Sequence, residues 1–85
     1  MTGTAVMNVY TIMDRLAQEC GPVFESKNDQ TALRGYKLML RKEQGNPSEY
    51  RLLRIGSIDH ETVKFEILDE PVEVVVFDAK EIENA

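Results

Sequence analysis

Apolar residues change their spacing at Gly21-Pro22. Before that point Val6, Val9, Tyr10, Met13, Leu16, Ala17 and Cys20 recur every three or four residues; after it the recurrence is mostly every two. The first spacing belongs to one stripe of a helix and the second to one face of a strand. The pattern predicts an α+β fold, with one N-terminal amphipathic helix followed by a four- to five-stranded antiparallel meander. The helix is expected over residues 5–20. Thr4 or Asn8 can cap its start, Gly21 can end it in the left-handed conformation, and Pro22 prevents its resumption. Residues 1–4 read as a flexible lead, 23–77 as the β-meander and 78–85 as a polar tail, all in a single domain.

Within the meander, Val23-Phe24-Glu25-Ser26 reads as a short strand and Lys27-Asn28-Asp29-Gln30 as a turn. A second strand is expected within Thr31–Lys42, with Tyr36, Leu38 and Leu40 facing one way and Lys37, Met39 and Arg41 the other. Glu43 to Ser48 concentrates Gly, Asn and Pro and marks a turn. Glu49 to Ile58 is the third strand, able to bend at Gly56. Val63 to Ile67 and Val72 to Phe77 are the fourth and fifth, separated by a turn at Asp69-Glu70-Pro71. Short connections favour antiparallel neighbours. The sheet either stays open, with the helix on one face, or curls into a small SH3- or Sm-like barrel.

Both parities of these strands carry apolar side chains. Met39, Leu53, Ile55, Val75 and Phe77 oppose their neighbours, and a single helix shelters only one face of an open sheet. The second set then forms an exposed apolar patch, of the kind that marks contact with another protein or with a second copy. The chain has 85 residues and one cysteine, so no intrachain disulfide forms. A domain this small buries only about 60–65% of its unfolded surface, and such domains often gain stability by oligomerising. Cys20, on the helical stripe, reads as a small buried hydrophobe.

The net charge is −5, but it is unevenly spread: residues 1–30 carry −2, residues 31–58 carry +4 and residues 59–85 carry −7. Either the basic and acidic segments neutralise each other as neighbours, or each presents its own patch to a partner. There is no run of about eighteen apolar residues to cross a membrane. Met1-Thr2-Gly3-Thr4-Ala5 lacks the basic start of a signal peptide, so a cytoplasmic location is expected.

The residues that carry chemistry are sparse. His60 is the one histidine and falls in a turn between Asp59 and Glu61, where a solvated ring is the simplest reading. No CxxC, HExxH or Asp-rich loop suggests a metal, and no Gly-rich loop opens a helix to hold a phosphate. Neither a catalytic constellation, a cofactor site nor a metal site is expected, and the polar helix face carries acids unsuited to an anionic membrane. The expected function is that of a non-catalytic accessory or regulatory protein acting through protein contact, with self-association. Its surface would combine Lys37, Met39, Arg41, Arg51, Leu53 and Arg54. The alternative is single-stranded nucleic-acid binding, with Lys37, Arg41, Arg51 and Arg54 on one hairpin and Tyr36 or Tyr50 stacking on bases.

Overall fold

Val6-Met7-Asn8-Val9-Tyr10-Thr11-Ile12-Met13 forms a strand, not a helix, because this segment lies in the middle of a sheet and is apolar or β-branched on both faces. The computed structural model describes residues 6–74. Its elements are β1 (Val6–Asp14), β2 (Glu19–Cys20), β3 (Phe24–Ser26), α1 (Asp29–Glu43), β4 (Tyr50–Asp59) and β5 (Lys64–Val74), with a single 3₁₀ turn at Pro47–Glu49 before β4.

β2 and β3 both pair antiparallel with β1, through Met13↔Cys20 and Tyr10↔Phe24. They are two pieces of one edge strand broken at residues 21–23. β4 lies antiparallel on the other side of β1, and β5 follows it as a hairpin. β3 and β4 therefore run parallel with β1 between them, and α1 makes the crossover, a split β-α-β arrangement. Two irregularities curl the sheet. β4 shifts register against β1 between Val9 and Tyr10, and against β5 between Arg54 and Gly56.

Helix α1 starts where Asn28, in extended backbone, accepts a hydrogen bond from the Thr31 amide at 2.8 Å. It ends at Gln44, which is left-handed, and the Gly45 amide closes the last turn by donating to the Leu40 carbonyl at 2.9 Å. Ala32, Tyr36 and Leu40 recur every four residues and form its buried stripe. Tyr10 and Leu52 meet them from the sheet, with Ile12, Phe24, Leu33, Met39, Tyr50 and Val74 packed around.

The expected N-terminal helix and uninterrupted meander are thus corrected. Residues 6–20 form β1, a turn and β2, and the one helix among the described residues, α1, lies over residues expected to be the second strand. Leu38, inward in a strand, is 55% exposed on the helix. The turn read at Lys27–Gln30 holds the helix cap and first residues. Cys20 is exposed on the edge strand and not buried. The expected fourth and fifth strands are one strand, β5, in which the presumed turn at Asp69-Glu70-Pro71 is a bulge. The short strand at Phe24–Ser26, the break after Glu43 and the strand from Tyr50 agree with expectation. Residues 1–5 and the stretch 75–85, with Val75, Phe77 and the polar tail, lie outside the described residues.

Candidate interaction surface

Strand register assigns each side chain to one of two sheet faces. Tyr10↔Arg54↔Val72 and Ile12↔Leu52↔Val74 face the helix. Met7↔Ile58↔Phe65, Val9↔Gly56↔Ile67 and Thr11↔Leu53↔Glu73 face away. Among the described residues no element covers that far face as α1 covers the near one. Val9 and Thr11 are buried there, Thr11 by donating to the Gly21 carbonyl at 3.0 Å, but exposure rises toward β5. Phe65 is 52% exposed and Ile67 73%, and Val23 beside the break in the edge strand is 60% exposed.

Between these residues lies a hollow of about 280 Å³ lined by Val9, Val23, Phe24, Glu25, Ile58 and Phe65. His60, in the turn between β4 and β5, reaches across to Glu25, with Nε2 2.6 Å from Oε1. Both side chains are substantially exposed. This contact ties the β4–β5 hairpin to the opposite edge strand. Among the described residues no group of three or more His, Cys, Asp or Glu side chains is placed to hold a metal ion.

The helix-facing side carries a polar cluster with a different task. Asp29, in the first turn of α1, accepts from the Tyr10 hydroxyl at 2.6 Å and from one Arg54 guanidinium nitrogen at 2.9 and 3.0 Å. Asn8 donates to the same hydroxyl at 3.1 Å. Asp29 thereby pins the start of the helix to β1 and β4, where its negative charge also suits the helix dipole. Burial of Tyr10, together with its hydrogen bond to a carboxylate, pushes the phenol from 10.0 up to about 12. Burial raises Tyr36 as well.

A phenol with a raised pKa stays protonated in the folded chain while the unfolded chain loses its proton. Stability is therefore complete below pH 10 and falls as pH rises from about 10 toward about 12. Denaturant melts across that window are expected to show the decline, and Tyr10→Phe to reduce it to the part that the raised Tyr36 contributes. An unchanged pH slope in Tyr10→Phe would remove Tyr10 as the cause.

The six residues expected to form one surface are divided between layers. Lys37, Met39 and Arg41 are on α1, and Met39 packs against the core. Arg51 and Leu53 are on the far face of β4, with Arg51 3.1 Å from Glu73. Arg54 points to the helix side and pairs with Asp29. Only Arg51 and Leu53 remain together on the uncovered face. The residues that sequence reasoning missed are Val23, Phe65 and Ile67. Phe65 and Ile67 alternate within the expected fourth strand, a spacing that puts both on one face but does not say which face the helix covers.

The fold defines a small split β-α-β domain with one sheet face sheltered by its helix and, among the described residues, the other open toward one edge. Residues 7–82 match the family described as Phage ORF5 protein, and the chain belongs to that family. The description gives a phage origin and no activity. No curated protein and no solved structure matches the chain. Among the described residues no helix is long and apolar enough to cross a membrane.

Proposed function

We propose that this protein is a non-catalytic accessory or regulatory subunit that works through protein contact and associates with itself through the β5 end of its open sheet face. The observation that supports this reading is the gradient of burial across the far face, from Val9 at the centre to Phe65 and Ile67 at the edge. Contiguous exposed apolar side chains are costly in water, and a second copy of the chain offers the same apolar surface in return.

A single-strand nucleic-acid binder, the alternative, asks for basic and aromatic side chains along one track. Tyr36 is instead buried, Tyr50 is half-buried against the core, and Arg51 and Arg54 lie on opposite faces with carboxylate partners. That division favours protein contact. Light scattering of the full chain over a concentration series is expected to show a mass rising from one copy to two. A strict monomer at high micromolar concentration overturns the self-association.

A further inference from the structure

We propose that two copies pair edge to edge through β5, antiparallel about a two-fold axis at Phe65, so that Lys64 of each copy meets Glu66 of the partner subunit. This rests on the self-association reading and specifies its geometry. β5 ends the strand order, and among the described residues nothing pairs with its outer side. An unpaired edge is a template for another strand unless it is blunted.

The two halves of β5 differ in that respect. Between the pairs Gly56↔Ile67 and Arg54↔Val72 the strand makes a wide excursion over residues 68–71, where Asp69 and Glu70 add charge and Pro71 has no amide to donate. That half is protected. Lys64 to Ile67, by contrast, pair one for one with Asp59 to Gly56 and form a regular strand.

An isologous antiparallel pair places residue i opposite residue j with i + j constant. A register centred on Phe65 sets Phe65 against its own copy and gives two reciprocal Lys64–Glu66 pairs, the only charged residues in the regular segment. A register centred on Glu66 sets carboxylate against carboxylate, and one centred on Lys64 sets ammonium against ammonium. A register centred between Phe65 and Glu66 would oppose residues from opposite faces of the strand, which a two-fold axis normal to the sheet forbids. A lone lysine on an edge repels a second copy; a lysine two residues from a glutamate on the same face becomes self-complementary. The Phe65 pair lies on the other face of the same ribbon and buries rings that are half exposed in the single copy.

The test is sedimentation equilibrium on the full chain with reciprocal charge variants, K64E and E66K. Both sites are exposed, so both variants are expected to keep the wild-type circular dichroism. Each alone sets like charges opposite each other twice and is expected to weaken self-association by about tenfold or more. A one-to-one mixture of the two, and the double variant K64E/E66K, restore opposite charges at every contact and are expected to recover the dimer. Wild-type dimers with both single variants equally dimeric overturn this register and leave self-association standing. Single variants that weaken without recovery in the mixture also overturn it. A monomeric wild type overturns both.

Discussion

Gly56→Ala is expected to destabilise the domain by about 3 kcal/mol or more, lowering the melting temperature by roughly 12–24 °C for a chain of this size. Gly56 is buried in β4 between Val9 of β1 and Ile67 of β5. A Cβ at that position collides with the Glu66 carbonyl oxygen and lies 3.1 Å from the Phe65 ring. The nearer atom belongs to the backbone of the adjacent strand, so no side-chain rotation relieves the clash. β5 has to move away from β4, and the ladder bonds beside the register shift move with it. Gly56 does not have a positive φ; the need for glycine comes from the close approach of the neighbouring strand. Thermal melts followed by circular dichroism measure the effect. A Gly56→Ala protein melting within a degree or two of wild type would show that β4 and β5 stand further apart than described. Because Phe65 and Glu66 flank the same spot, the variant is also expected to lose self-association at temperatures where it remains folded.

Gly56 is among the features that were legible in the sequence, as a bend in a long strand. So were the strand from Tyr50, the short strand around Phe24 and the break between Glu43 and Ser48. What was not legible has a physical cause in each case. A strand in the middle of a sheet is apolar on both sides, and a continuous run such as Val9-Tyr10-Thr11-Ile12-Met13 contains a helical stripe as a subset of itself. Its β-branched and aromatic content was the better guide. In the helix, Tyr36 and Leu40 are four apart, which is one turn of a helix and also two steps along one face of a strand. The residues that separate the readings are Ala32, Leu33 and Met39, which complete a helical stripe, and Leu38, which a strand buries and this helix exposes. Strong helix formers between Ala32 and Glu43 and a capping asparagine at position 28 carried the signal. Pro71 read as a turn because central strands exclude proline; an edge strand with a bulge accepts it. Of the candidate surface, the presence of apolar residues at both parities of the strands was legible. Its membership was not, because membership follows from register and register needs the correct elements.

Leu52 and Leu53 are adjacent and identical in kind, yet their truncation is expected to have very different consequences. Leu52 is 1% exposed and meets Tyr10, Ala32, Tyr36 and Leu40 between the sheet and the helix. Leu52→Ala leaves a cavity that this well-packed group closes only in part, at a cost of about 2–5 kcal/mol. A domain of 85 residues has a total stability of roughly 4–13 kcal/mol, so most of it can be lost in this one change. Leu53 is half-buried on the far face, between Thr11 and Glu73, and among the described residues no helix lies above it. Part of its surface is already in water, and solvent or a shift of neighbours fills the space that Leu53→Ala vacates, so the expected loss is about 1 kcal/mol or less. Urea denaturation of the two variants, compared with wild type at equal concentration, measures the difference. Equal losses would mean that β4 is buried alike on both faces, and the reading of an open face would fall with it. An ordering in which Leu53→Ala is the more damaging would mean a register one residue out of place, because a slip of one position exchanges every side chain of β4 between the helix side and the open side.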